Sequence, residues 1–555
     1  MNGRMGNSKL SSSAHSPVGA GIFACALALI CGAAVFTGLA PLRVFEHDIF
    51  FLLDNAYRVL QGQVPHRDFF SAWGPVIHLI GAGGLFLARM KPDGIAYANA
   101  ICAALIGIWA YRVGRVRLGS AAACCMGIYT VLLIATPSSL GYGALMFSHA
   151  MVYNRYGFAL LGIILVECGT HFFGTEATHR GAISSGAAFA ILGFLKISYA
   201  LAAAPILLLG YAFGSGRARR LMIFCGTAAI VSFPFLGYLR FDVGDMLRDL
   251  AMAGAARRLS WHPTELFADG FGLIGETIPL LLLLATLALA RRSAAAGESK
   301  WRVRELVLVG VTTAVGALLL TTNHQPGGLP LNAFAALVLA DPYLVRRQSG
   351  DEADGPLGFA MAFLMVVCVL RVAAPDAVSL GAAAWERYRG DAPALRLASE
   401  RGATIDFEPV RCLTSSETGG PGYVAALNDG IELLRRHTSA GDGVLAIDMM
   451  NPFNYLLGRR SPVGGVSAGA YNYVLSDAAH PTDERFFGNA RCVLVRKYGR
   501  EVGDFALEQF NIDGLFRIYR PALEARFRLV EETRHWRLYV LCGGVGRLQA
   551  GLPAR

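Results

Sequence analysis

The apolar run VGAGIFACALALICGAAVFTGLAP at residues 18–41 is followed by the polar and aromatic stretch LRVFEHDIFFLLDNAYRVLQGQVPHRDFF at residues 42–70. The apolar run exceeds the roughly 7 to 15 residues of a signal-peptide core and suits an uncleaved membrane-spanning helix. The stretch that follows places Glu46, Asp48 and Arg67 at the mouth of that helix. Charged groups held at a membrane surface lose hydration, which indicates a chemical use rather than a packing role.

Composition places the chain among polytopic membrane proteins. Of its 555 residues, 54% are hydrophobic and 16% are charged, which is more apolar surface than one soluble core of this length buries. The formal net charge of +10 comes largely from short basic runs between apolar segments. We interpret this charge as membrane topology and predict no nucleic-acid partner.

Eleven apolar runs are predicted to span the membrane, and together they form a transmembrane module over residues 18–373. With residues 1–17 in the cytoplasm, the basic runs between them, such as Arg112 to Arg117 and Arg217 to Arg220, all fall on the cytoplasmic face. The predicted spans are 18–41, 94–111, 119–136, 157–173, 182–195, 198–214, 219–240, 271–290, 303–320, 329–345 and 357–373.

This threading requires that residues 74–90 do not cross the membrane. The segment is rich in glycine and ends in basic residues, so we predict a juxtamembrane or re-entrant helix within an outer loop at residues 42–93. The competing count makes 74–90 a span and fuses 182–214 into one long helix. It moves Arg112 to Arg117 outside, which the positive-inside rule disfavours.

The remainder, residues 374–555, is predicted to be a linker followed by an extracytoplasmic α/β domain. Charged residues become more frequent and long apolar runs stop. Apolar spacing predicts a helix over 424–437, short apolar runs predict strands at 443–448 and 492–495, and alternation predicts a hairpin over 527–541. The sequence contains no nucleotide-binding fingerprint, and we predict no cofactor.

Asp48 is the leading catalytic candidate. At the end of the first span a carboxylate can act as a general base, oppose a developing positive sugar, or bind a metal; the alternative is a cap for a helix that begins near Ile49. Asp54 is a second acidic candidate, although Arg58 stands four residues on and predicts a simple ion pair. Arg67 can hold a phosphate that Asp68 orients, or the two can pair locally.

Further candidates for binding substrate or phosphate lie at the ends of later spans. Lys196 interrupts two apolar half-helices, where an ammonium either meets an anion or snorkels to the interface. Asn154 and Arg155 begin a span on the same outer face, with the same two interpretations. His324 and Gln325 form a polar outer loop that either contacts sugar hydroxyls or simply connects two helices.

The outer loop resembles that of the GT-C membrane glycosyltransferases, the superfamily of protein O-mannosyltransferases and aminoarabinose transferases. The similar features are Asp48 after the first helix, a helix that ends in Leu60-Gln61-Gly62, and the turn Pro65-His66-Arg67-Asp68-Phe69. Ile49 stands where the family usually has Glu, and His66 replaces the commoner Tyr. Fainter similarity extends to residues 153–157 and 195–199, and to the tail at 441–459.

The resemblance implies a function: transfer of a sugar from a polyprenyl-phosphate donor to a lipid, glycan or protein acceptor, with inversion, on the outer face of the plasma membrane. Asp48 stands at the position of the family's catalytic Asp. A divalent metal stays open, and we predict no metal ligands. Two other classes also stay open: a transporter or flippase of lipid-linked sugar, and a non-catalytic membrane scaffold. The similarity identifies neither the sugar nor the acceptor.

Overall fold

A computed structural model describes residues 17–170, 178–212, 216–256, 263–292, 299–323, 325–348, 356–390, 395–408, 420–497 and 506–542. Within these ranges the chain forms eighteen helices and four strands. It is a polytopic α-helical membrane protein with a small C-terminal α/β domain. Six of the described helices are long and apolar enough to cross a membrane, as judged by length and composition.

Eleven of the described helices coincide with the eleven predicted apolar runs. Together they form a bundle with a buried centre. The helix α6 (Val152–Gly169) is buried along its whole length, whereas few residues of α1 (Pro17–Thr37) and α9 (Arg217–Tyr238) are fully buried. The eleven are α1 (Pro17–Thr37), α4 (Gly94–Arg117), α5 (Ser120–Ala135), α6 (Val152–Gly169), α7 (His179–Leu195), α8 (Ile197–Ala212), α9 (Arg217–Tyr238), α11 (Pro263–Arg292), α12 (Ser299–Asn323), α13 (Pro330–Gln348) and α14 (Pro356–Arg389).

The structure describes both segments on which the threading depends and confirms one prediction, the break at Lys196; that residues 74–90 do not cross the membrane stays a prediction. Lys196 is extended between the end of α7 at Leu195 and the start of α8 at Ile197, so the predicted break is confirmed and the alternative of one fused helix is wrong. Residues 75–87 form α3 (Pro75–Leu87), a helix of 13 residues. At 1.5 Å per residue it is about 20 Å long, shorter than the hydrocarbon core of about 30 Å.

Outside the C-terminal domain, two helices differ from the sequence prediction. The helix α14 continues to Arg389, well past the predicted end of the last span at residue 373, so residues that were predicted to be linker are helical. A further helix, α10 (Val243–Ala256), lies in the segment between α9 and α11, where no helix was predicted. It carries no long apolar run, because it buries only one side against the outer loop.

The C-terminal domain confirms the predicted helix, strands and hairpin. Its sheet has the order β1 (Val444–Ile447), β2 (Cys492–Arg496), β4 (Trp536–Leu541) and β3 (Phe527–Glu532), in which β1 and β2 are parallel and the other neighbours are antiparallel. Trp536 of β4 is fully buried and donates to the carbonyl of Ala426, which holds the predicted helix against the sheet. The elements are α15 (Gly420–His437), β1 (Val444–Ile447), α16 (Phe453–Leu457), α17 (Asp483–Phe487), β2 (Cys492–Arg496), α18 (Ala506–Arg526), β3 (Phe527–Glu532) and β4 (Trp536–Leu541).

The outer loop and the C-terminal domain lie on the same side of the bundle and are joined by hydrogen bonds. The amide of Asn55 donates to the carbonyl of Ser467, that of Gln63 donates to the carbonyl of Ser461, and the backbone N–H of Phe70 donates to Gly465. These buried bonds satisfy polar groups of both partners. The domain therefore holds the outer loop in place.

Candidate functional site

Asp48 begins the first helix of the outer loop, α2 (Asp48–Leu60). Its side chain is 21% exposed, and its Oδ1 lies 3.3 Å from Nε2 of His47. Burial raises the pKa of Asp48, and the neighbouring His47 opposes this rise. Asp48 is the first residue of α2 and not its N-cap, which is His47. The side chain of His47 makes no cap bond, so the capping alternative considered for Asp48 is not observed. In the first turn the carboxylate is also stabilised by the helix dipole.

The segment that leads into Asp48 is held by Arg43. Its guanidinium donates to the carboxylates of Glu386 and Glu408, at 2.6 Å each, and to the carbonyl of Leu145. The backbone N–H of Leu42 donates to Asp406 at 2.8 Å. These bonds connect the chain just before Asp48 to the end of α14 and to the segment that follows it, so the entry to α2 is preorganised.

An aromatic cluster connects α2 with the break at Lys196. Phe51, one helical turn after Asp48, lies against Trp73 with 4.6 Å between ring centroids, and both rings contact Tyr153. The ammonium of Lys196 lies 4.6 Å from the centroid of the Tyr153 ring. This distance is typical of a cation–π contact. The cluster therefore brings the first turn of α2 and Lys196 into one region.

Lys196 lies among amide and hydroxyl groups inside the bundle. Its Nζ donates to Oδ1 of Asn323 at 2.6 Å and to Oδ1 of Asn154 at 3.5 Å. Nδ2 of Asn323 in turn donates to the hydroxyl of Tyr199 at 3.1 Å. Both amides are buried. The ammonium thus points to neutral acceptors within the protein, whereas a snorkelling lysine extends to the interface.

Asp249 of α10 is the buried junction between the outer loop and the C-terminal domain. Its carboxylate accepts hydrogen bonds from Ser71 N–H at 3.1 Å and from the guanidinium of Arg485 at 2.6 and 3.0 Å. Nδ1 of His66 lies 3.2 Å from the same carboxylate. Ser71 Oγ also accepts from the backbone N–H of Trp73. This network positions Trp73 against Phe51 and Tyr153, the other rings of the aromatic cluster.

Arg67 and Asp68 form a local ion pair. Nε and Nη2 of Arg67 donate to the two carboxylate oxygens of Asp68 at 2.9 and 2.6 Å. Burial by itself raises the pKa of Asp68, but the bonds from Arg67 and from Val64 N–H lower it overall. In the described part of the chain, Nη1 of Arg67 is buried and has no hydrogen-bond partner. The local pair is present, and one nitrogen of the guanidinium, Nη1, makes no hydrogen bond within the described residues.

Asp54 and Arg58 form the predicted (i, i+4) pair, with 3.3 Å between Oδ2 and Nε. Arg58 is buried, donates to the carbonyl of Gly464, and stacks on the ring of Phe69 at 4.7 Å. Burial raises the pKa of Asp54 to about 6, and Arg58 opposes this rise. These contacts give the pair a structural role in docking the C-terminal domain.

Arg155 lies inside the bundle, where every donor has an acceptor. It makes two hydrogen bonds to the carboxylate of Asp376, at 3.0 and 3.1 Å. The other three go to the carbonyls of Leu133 and Ser138 and to the hydroxyl of Ser138. A guanidinium has five N–H groups, so these five bonds use all of them. Arg155 therefore supports the loop beside the site and offers no donor to a ligand in this arrangement.

The last two predicted residues belong to the connection between α12 and α13. Gln325 is buried, and its Nε2 donates to the carbonyls of Gly327 and Gly328 at 2.6 and 2.7 Å. The amide thus closes the turn, as expected of a connecting loop. His324 lies outside the described residues.

Of the predicted site residues, the structure brings together Lys196 and Asn154, and the aromatic cluster connects both with the turn of Asp48. No contact joins Arg67, Asp68 or Gln325 to this group within the described ranges. Sequence reasoning missed Asn323, which accepts a hydrogen bond from Lys196 at 2.6 Å. Its signal was a polar residue at the end of an apolar helix, next to the predicted His324. Over the described ranges, three His, Cys, Asp or Glu side chains do not gather into a possible metal site.

Comparison with known proteins finds no matching family model and no matching curated sequence. Two solved structures are similar over nearly the full length. ArnT from Cupriavidus metallidurans bound to undecaprenyl phosphate aligns with a TM-score of 0.46 and 11% identity, covering 96% of this chain and 99% of that chain. The apo state of the same ArnT aligns with a TM-score of 0.39 and 11% identity, covering 94% and 98%. Similarities at this level do not assign the chain to a family.

Proposed function

We propose that this protein is a membrane glycosyltransferase of the GT-C type, which moves a sugar from a polyprenyl-phosphate donor to an acceptor hydroxyl with inversion at the anomeric carbon. The observation that carries the proposal is that one aromatic cluster connects the turn of the partly exposed Asp48 with Lys196, a cation at a helix break. The similarity of residues 48–70 to the GT-C outer loop supports the same reaction.

Asp48 is proposed as the general base. It is partly exposed at the start of α2, so an acceptor hydroxyl can reach it from water. The raised pKa makes its carboxylate a better proton acceptor than an ordinary aspartate. The segment held by Arg43 keeps the carboxylate in position without occupying it.

Lys196 is proposed to bind the donor phosphate. Its ammonium contacts two neutral amides and an aromatic face at the break between α7 and α8. A phosphate oxygen at this point gains a charge-assisted hydrogen bond in surroundings with little water. The free Nη1 of Arg67 is a second donor for an anion at the loop.

The reaction then balances as a single displacement. The acceptor oxygen forms a bond to the anomeric carbon while the bond from that carbon to the phosphate oxygen breaks. The acceptor proton passes to the carboxylate of Asp48. The leaving polyprenyl phosphate takes the electron pair, and its negative charge is stabilised by Lys196. The distribution of basic runs supports an extracytoplasmic position for this reaction.

The test uses the purified protein in lipid nanodiscs with a radiolabelled polyprenyl-phosphate sugar and a mixture of candidate acceptors. Loss of a general base costs about 10²- to 10⁴-fold, so Asp48→Asn should lower transfer by that factor and keep donor binding. The matched control is Asp245→Asn, because Asp245 is 24% exposed and pairs only locally with Arg248. The control should transfer sugar at the wild-type rate.

Lys196→Met should weaken donor binding about 10- to 100-fold, the range for a hydrogen bond to a charged group. The control is Lys91→Met, because Lys91 is an exposed lysine of the outer loop at residues 42–93. This variant should bind donor normally. Wild-type turnover by the Asp48→Asn protein would contradict the catalytic assignment. Donor movement across vesicles without transfer would instead identify a transporter, and neither activity would identify a scaffold.

A further inference from the structure

A second polar site lies near the other end of the bundle, where α6 and α8 end and α7 and α9 begin. Thr178, Gly210, Tyr211 and Arg220 line a small pocket there, together with Glu167. Glu167 comes thirteen residues after Asn154 on α6, which corresponds to about 20 Å along the helix axis. The pocket is therefore separate from the proposed catalytic region and belongs to the opposite face of the membrane.

The electrostatics of this pocket favour an anion. Glu167 is already paired, because Nε of Arg117 donates to its Oε2 at 2.6 Å, and Nη2 of Arg117 donates to Thr178. Arg220 is 4% exposed and faces the ring of Tyr211 at 5.3 Å. Within the described part of the chain, neither Nε nor Nη2 of Arg220 has a hydrogen-bond partner.

Nε and Nη2 form one edge of a guanidinium, with two N–H groups that point in the same direction. This edge matches two oxygens of a phosphate or carboxylate, and leaving it buried without an acceptor is costly. Arg220 also lies in the first turn of α9, where the helix dipole favours a negative charge. Both features call for a ligand with two acceptor oxygens.

The surroundings indicate a lipid rather than a soluble anion. Arg220 is the one buried residue of α9 among those described, and the following Leu221 and Met222 expose 49% and 66% of their surface. Arg217 and Arg219 add positive charge at the same level. An exposed apolar helix below a cluster of arginines is the pattern that binds anionic head groups between membrane helices.

We propose that Arg220 binds the phosphate of an anionic phospholipid whose acyl chains lie along α9. Two neighbouring contacts make the site rigid. Gly186 of α7 allows α9 to approach so closely that an added Cβ would stand 2.5 Å from the carbonyl of Phe224. Gly210 likewise brings α8 against Cys168. The site is independent of the proposed transfer reaction, so either proposal can fail alone.

The test is native mass spectrometry of the purified protein titrated with phosphatidylglycerol. Arg220→Gln should weaken binding of one lipid at least about tenfold, the effect of losing a bidentate charged contact. Arg219→Gln is the matched control, since it removes the same charge from an exposed neighbour, and it should change affinity less than about threefold. Equal effects of the two variants would overturn the proposal.

Two further measurements keep the test decisive. Arg220→Lys retains the charge but not the paired donors, so an intermediate loss supports the bidentate contact and unchanged affinity refutes it. It also serves if the glutamine variant fails to fold. Inorganic phosphate is added in competition. Persistence of the bound lipid supports the phospholipid, whereas its displacement by millimolar phosphate would overturn the lipid assignment in favour of a soluble anion.

Discussion

Replacing Arg155 by methionine is expected to destabilise the protein rather than to remove a ligand contact. The change leaves the buried carboxylate of Asp376 without its counter-charge and removes donors from the carbonyls of Leu133 and Ser138. Breaking a buried ion pair by removal of one partner costs about 3–5 kcal/mol. We expect the free energy of unfolding to fall by this amount.

The assay is reversible unfolding by SDS in mixed micelles, carried out on Arg155→Met, Asp376→Leu and the double variant. The double variant should lose less than the sum of the single losses by about 2 kcal/mol or more, because no unpaired charge remains. The control is Arg371→Met, because Arg371 lies on α14, the helix that carries Asp376. Its pair with Glu276 is 42% exposed on the arginine side and should contribute at most about 1 kcal/mol. Unchanged stability of Arg155→Met with weakened donor binding would refute this reasoning and favour a ligand role.

Three further predictions concern pH and packing. Because burial raises the pKa of Asp48, the transfer rate should rise with pH as the carboxylate forms. A pH–rate profile should have its midpoint above the pKa of an ordinary aspartate. A midpoint at or below that pKa would contradict the assignment of Asp48 as the base. Burial raises the pKa of Asp54 to about 6, so its folded form holds a proton more tightly than the unfolded chain. Its contribution should be complete below the ordinary carboxyl pKa and decline by up to about 3 kcal/mol as the pH rises through 6, and unfolding of Asp54→Asn should lack this slope. A Cβ on Gly181 would stand 2.4 Å from Nη2 of Arg117, so Gly181→Ala should lower the free energy of unfolding by about 1–3 kcal/mol. Gly226→Ala is the control, because a Cβ there would have nothing within 4 Å. Equal effects of the two variants in SDS unfolding would show that the contact between Gly181 and Arg117 is loose.

Much of the fold follows from local sequence, since each helix or strand is specified by residues close together in the chain. Long apolar runs predicted eleven helices because a membrane requires continuous apolar segments. The break at Lys196 was predictable, because a charged residue between two apolar runs is costly inside a continuous span. The strands β1 and β2 were visible as short apolar runs, since both of their faces are buried.

The length of α14 and the existence of α10 were not predictable from long apolar runs. Both continue outside the apolar core, where helical structure depends on contacts with other elements. Asp249 of α10 shows this dependence: its partner Arg485 lies 236 residues away in the sequence. The apolar residues of α10 are spaced along one face, so the helix has an amphipathic pattern but no long apolar run.

For the candidate site, the sequence by itself determined which polar residues follow or interrupt the apolar runs, including Asp48 and Lys196. Only the tertiary structure decided their partners. Lys196 donates a hydrogen bond to Asn323, which is 127 residues away in the chain. Arg155 pairs with Asp376, which is 221 residues away. The physical reason is that a buried charge is stabilised by whichever opposite charge or dipole the fold brings within about 3 Å, and sequence separation does not limit that choice.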